Sequence, residues 1–161
     1  MTMTAQLQAD FGDTIEEYTL QYGYDGAEWT VLVTAPELVS GITAHIAKDA
    51  STMEYDGVIL STGKLTEYGI APISALSLIH EALSVGMLDS VWTEGDLVAG
   101  SFVYDDAVTV SVWFDGQGNP VAAELMEQGV VKVKCMLEDT EIKEASNEWT
   151  EEAYLGGNQP E

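Results

Sequence analysis

Two histidines, one cysteine and twenty-eight carboxylates are the groups from which this chain could build a reactive site, and spacing decides what each can do. His80 lies between Ser77 and Glu81, yet a serine, a histidine and an acid on one helix do not form a relay. The nucleophile and base must meet head-on while the acid reaches the far ring nitrogen. His45 is out of phase with Ile42, Ala44 and Ile46, which puts it on the solvent side of a strand. The histidines and Cys135 show neither paired CxxC nor HExxH spacing, so no metal site is expected. Asp115 and Asn119 share the loop DGQGNP, but a calcium loop needs oxygens at alternating positions and a closing Glu, so a glycine-rich hairpin turn accounts for them better. Cys135 is in phase with Val131, Val133 and Leu137 and opposite Lys132 and Lys134, the pattern of a buried small hydrophobe rather than a reactive thiol. With no catalytic set and no cofactor motif, a non-enzymatic role is expected. The apolar candidates remain: Trp29, Trp92 and Trp113 lie in strand-like runs, where they can serve the core or a ligand platform.

The elements that must position these residues are mostly strands. Ala5, Leu7, Ala9 and Phe11 alternate with polar residues, and after Gly12-Asp13 the pattern resumes at Tyr18, Leu20, Tyr22 and Tyr24, which reads as a hairpin. Asp25-Gly26 predicts a tight turn with both central residues at positive φ, leading to Trp29, Val31, Val33 and Ala35 on one face. Short runs at 42–46, 53–55 and 58–60 follow, and a second meander occupies 91–94, 97–104, 107–115, 120–127 and 130–138. About ten strands joined by short loops describe an antiparallel sheet that curls on itself, a mostly-β (α+β) fold.

One segment breaks the rhythm. Between Pro72, tolerated in a first helical turn, and Gly86, a C-terminal stop, the period is helical. Ser74, Ser77, Glu81 and Ser84 form a narrow polar stripe, and two apolar stripes fill the rest, about twice the ~100° arc that a helix covering one core needs. A helix at about 72–85 is therefore expected in the concave face of the curl. Its Ile73-Leu76-Leu83 stripe is assigned to the sheet, because larger branched side chains belong where packing is tightest. Leu78 and Ala82 are assigned to a ligand cavity together with Trp29, Trp92 and Trp113.

Five lysines and no arginine against twenty-eight acids give a formal net charge of -23, which repels nucleic acid and anionic bilayers over most of the surface. A lone cysteine allows no internal disulfide. No apolar run approaches the ~18 residues of a membrane span, and MTMTAQLQADFG has neither the basic region nor the apolar region of a leader, so the expectation is either a cytosolic protein or a mature fragment whose leader was removed. A domain over 1–141 and an acidic tail over 142–161, a short helix or a loose end, complete the organisation.

The order VLVTAPELVSGITAHIAKDASTMEYDGVILSTG, a loop KLTEYGIAP, one buried helix, and strands ending in VWFDGQGNPVAAELMEQGVVKVKC resembles uncharacterised envelope lipoproteins of Gram-positive anaerobes that share the LolA/LolB-like half-barrel. The marks are Pro36-Glu37 before Gly41-Ile42-Thr43, the Asp56-Gly57 hairpin, Pro72 at the helix start, and Pro120 with Glu124. The resemblance implies an incomplete barrel lidded by helices, with a hydrophobic cavity for acyl chains or similar amphiphiles. It also implies a place on the extracellular side of the envelope, secreted or tethered through a lipidated cysteine in a leader upstream of Met1. With no arginine in the chain, the arginine contacts of lipoprotein carriers map onto no position here, so sorting of lipoproteins to an outer membrane is not expected. The rival expectation is an acidic interaction or inhibitor domain that offers its sheet to a basic protein partner and has no ligand cavity.

Overall fold

The computed structural model describes residues 1–64 and 69–141; residues 65–68 of the loop KLTEYGIAP and the whole 142–161 tail lie outside the described residues. Eleven strands form one antiparallel sheet: β1 (Thr2–Asp10), β2 (Ile15–Tyr24), β3 (Trp29–Ala35), β4 (Thr43–Ile46), β5 (Ser51–Tyr55), β6 (Val58–Gly63), β7 (Met87–Glu94), β8 (Leu97–Val103), β9 (Val108–Phe114), β10 (Pro120–Glu127) and β11 (Val130–Glu141). Their spatial order is β6-β5-β4-β3-β2-β1-β11-β10-β9-β8-β7. The first and last strands pair at the centre, β1 with β11 (Leu7 opposite Cys135), so each half of the chain is a meander that runs outward to its own edge. The edges, β6 and β7, do not meet, and the sheet is a half-barrel rather than a closed one.

Turn chemistry sets the registers. Asp56-Gly57 and Gln128-Gly129 sit at φ 51° and 77° and at 51° and 80°, the paired positive values of a two-residue hairpin turn whose twist matches that of its strands. The turn expected at Asp25-Gly26 is different. Only Gly26 has positive φ, and the loop runs over residues 25–28, with the Asp25 carboxylate accepting from the backbone N–H of Ala27 and of Glu28, each at 2.9 Å. An aspartate that can bond its own loop has made the longer turn the stable one. Phe11 also falls outside its strand: β1 stops at Asp10, the Phe11 N–H donates to the Thr14 carbonyl at 3.0 Å, and the ring is exposed.

The inner face of the sheet carries the alternating residues of the central strands, Ala5, Leu7, Leu20, Val31, Val110, Val112, Leu125 and Val133, all at most 1% exposed. The helix α1 (Pro72–Val85) packs on this face against β2, β3, β8, β9 and β10. Its first turn is fixed by Pro72 and by Ser74, whose hydroxyl accepts from the Ala71 N–H and donates to the Ala71 carbonyl. Only the C-terminal half of the polar stripe reaches solvent, with Ser84 exposed and Glu81 half-buried. Ser74 and Ser77 are buried, and the Ser77 hydroxyl is satisfied by donating to the Ser74 carbonyl at 2.9 Å, so serine here is a small residue that finds its partner within its own helix. Gly86 ends the helix with an extended backbone (φ -66°, ψ 153°), and a Cβ there would clash with the Ala82 carbonyl oxygen, which favours glycine at this position.

Candidate functional site

The five residues singled out from the sequence fall in two places. Leu78 and Ala82 are 2% and 0% exposed on α1, buried together with Ala75, Leu76 and Ile79. The stripe assigned to a cavity is thus as covered as Leu76, while Ile73 and Leu83, assigned to the sheet, are only half-buried. Side-chain size therefore does not predict which flank of the helix is buried: Ala82 and Leu78 are covered while the larger Ile73 and Leu83 are half-buried. Trp29 belongs to the same inner face. It is 8% exposed, and its indole N–H donates to Nδ1 of His80 at 3.3 Å.

That hydrogen bond anchors an aromatic cluster between the helix and the β2–β3 hairpin. Tyr24 stacks on Trp29 with ring centroids 5.2 Å apart and leans on His80 at 4.6 Å. As an acceptor, Nδ1 holds the imidazole neutral with its proton on Nε2. Burial pushes the His80 pKa below its ordinary value, while neighbouring Glu81 pulls the other way. Glu81 itself accepts from the Tyr104 hydroxyl, and this bond, ahead of burial, pushes the Tyr104 phenol up to about 12. Tyr22, 2% exposed, is held above its ordinary value mainly by burial. The cluster ties the helix to the sheet.

The wings of the half-barrel are a different surface. Following the registers outward from Val31, the inner face continues through Ala44 and Met53 to Leu60, and through Tyr55 to Val58. On the other side it continues from Val112 and Val110 through Gly100, Phe102 and Val98 to Val91 and Leu88. There the helix no longer covers it: Leu60 is 61% exposed, Val58 59%, Val91 60% and Leu88 53%.

Trp92 and Trp113 lie on the opposite, outer face, both in phase with Ala99. Their rings meet edge-on at 5.8 Å, and the Trp113 indole N–H donates to the Glu94 carboxylate at 2.9 Å. The structure therefore pairs these two tryptophans but separates them from Trp29, Leu78 and Ala82. Sequence reasoning missed the reason, because a strand pattern alone assigns no face until the register with its neighbours is known. Trp113 borders a groove of about 800 Å³ across the middle of this outer face. A smaller depression of about 490 Å³ lies beside Thr4, Gln21, Thr30 and Leu32.

The remaining candidates behave as structural groups. Cys135 is 2% exposed, and burial pushes its thiol up to about 12. Nδ1 of His45 lies 2.9 Å from the Glu28 carboxylate on a half-exposed strand. The Asp115 carboxylate is turned inward on its loop, accepting from the N–H groups of Gln117 and Asn119, bonds that lower its pKa. Among the described residues no three of His, Cys, Asp or Glu stand close enough to share a metal ion, and no helix is long and apolar enough to cross a membrane.

No family model matches the chain, and no curated protein matches its sequence. Solved structures do resemble it. A LolA superfamily protein from Nitrosomonas europaea superposes with a TM-score of 0.53 at 9% identity, over 89% of this chain and 86% of that one. A chain of the complex between the CwlD amidase and the GerS lipoprotein of Clostridioides difficile gives 0.55 at 14% identity, again over 89% and 86%. At such identities the likeness is one of fold, and the fold is the LolA-like half-barrel.

Proposed function

We propose that the chain is a non-enzymatic binding domain of the cell envelope that holds an apolar or amphiphilic molecule against the inner face of its half-barrel. The observation that carries this reading is the apolar surface of the two wings that is left exposed among the described residues. Singly exposed apolar residues are ordinary, but Val58 and Leu60 on one side and Leu88 and Val91 on the other continue the core without a break. A molecule lying there removes that surface from water at roughly 25 cal/mol per Å². The envelope setting is supported by the fold neighbours, one named for the LolA superfamily and one a complex that contains a lipoprotein. Leu78 and Ala82 join the ligand contacts if the helix shifts to admit an acyl chain. Trp92 and Trp113 are not among them.

Binding of an environment-sensitive apolar dye tests the reading, with the organic extract of the purified protein analysed by mass spectrometry for a bound lipid. Val91→Asp and Leu60→Asp place charge on exposed inner positions, where folding is preserved, and are expected to abolish dye binding. Met136→Asp, on the outer face and 59% exposed, is expected to leave it unchanged. Equal dye binding by all three variants would remove the inner face from the account.

A further inference from the structure

The outer groove is built unlike the wings. It crosses the sheet from Ala35 and Pro36 at the end of β3 to Leu97 and Glu94 on β8 and β7, with Trp113 in its wall, and along it stand Glu17, Glu94 and Glu124 with Lys134 as the lone cation among the described lining residues. The lysine is already engaged, its Nζ 3.3 Å from Glu124. Glu94 and Glu17 each accept one neutral donor, from the Trp113 indole and from the Gln8 amide, so both keep unused lone pairs and neither is paired with a cation in the lining. The chain has no arginine to offer them.

We propose that this groove is a second docking surface, separate from the amphiphile site, and that its partner is a basic segment of another protein bearing arginine or lysine beside apolar residues. Charge complementarity selects the partner. A guanidinium can bridge a free carboxylate oxygen of Glu17 or Glu94 in forked geometry and lie on an aromatic face, while apolar residues of the same segment cover the wall. The net charge of -23 draws such a partner in and turns acidic ones away, which sets association rate and specificity more than affinity. Anionic lipid, the other amphiphile an envelope offers, is repelled from this face by the same charges.

The test is a fluorescence titration, read from the tryptophans, with a short synthetic peptide of arginine and leucine and versions in which glutamine or glutamate replaces arginine. The arginine peptide is expected to bind and the others not to. Glu17→Gln with Glu94→Gln should weaken binding about tenfold, the loss of one to two charge-assisted contacts. Glu28→Gln with Glu54→Gln, of equal charge and outside the groove's lining, should change it less than about twofold. Trp113→Ala tests the aromatic wall by calorimetry, and circular dichroism of each variant confirms that it is folded. Equal weakening by both glutamine pairs would reduce the effect to bulk acidity and overturn the site, as would no binding by the arginine peptide. Loss of dye binding in the wing variants leaves this titration unchanged, so the two readings fail independently.

Discussion

His80 takes its role from its neighbours in space rather than from its neighbours in sequence. Beside Ser77 and Glu81 it has the composition of a catalytic set, yet its Nδ1 accepts the Trp29 indole proton and its ring lies against Tyr24. Protonation removes that acceptor. Because burial depresses the folded-state pKa below the unfolded value of about 6.5, the unfolded chain binds the proton first. The contribution of His80 to stability is therefore complete above pH ~6.5 and is lost as pH falls through the depressed folded value. Melting temperature should fall on acidification from pH ~7 to ~5 in the native chain. In His80→Gln, whose side chain can accept the same indole proton and does not titrate, the fall should be smaller. Parallel curves for the two proteins would show that the histidine does not couple to folding.

At the scale of elements, the helix was legible as an element and illegible as a surface. Its bounds follow from Pro72 and Gly86, and its burial from two apolar stripes, all of which are local patterns. Which stripe meets which wall depends on the curl of eleven strands, and no window of sequence contains that. The strands divide in the same way: alternation located nearly all of them, and Asp56-Gly57 fixed a register, while the separation of Trp29 from Trp92 and Trp113 required the pairing of β8 with β9 and of β3 with β4. The uncovered wings were missed because their residues carry the same alternation as the covered centre. A consequence for α1 is that its two apolar stripes should respond alike. Leu76→Ala and Leu78→Ala are each expected to cost roughly 2 to 5 kcal/mol, the range for a buried leucine that leaves a cavity, in urea titrations with an unchanged slope. A loss below ~1 kcal/mol for Leu78→Ala alone would mean that this side of the helix faces space that solvent or ligand can enter.

For the whole molecule the governing quantity is charge. Twenty-eight acids against five lysines leave a net charge of -23 on 161 residues, and little in the fold compensates it. Among the described residues one lysine–carboxylate pair is formed, Lys134 with Glu124, and the His45–Glu28 contact is ionic only when the imidazole is protonated. Exposed pairs of this kind contribute ~0–1 kcal/mol, so self-repulsion among the acids outweighs them. Repulsion acts on the compact state more than on the expanded one, and at ~0.1 M salt the screening length is about 10 Å, shorter than the distance between most carboxylates on opposite wings. Melting temperature should therefore rise from low to moderate sodium chloride and then level off. Calcium chloride at matched ionic strength should give the same rise, since the described acids are spread along strands and turns rather than gathered around a point. A melting temperature insensitive to sodium chloride would show that the acids are spaced widely enough not to oppose folding. A calcium effect well beyond that of sodium would demand a specific site, with ligands drawn in part from outside the described residues.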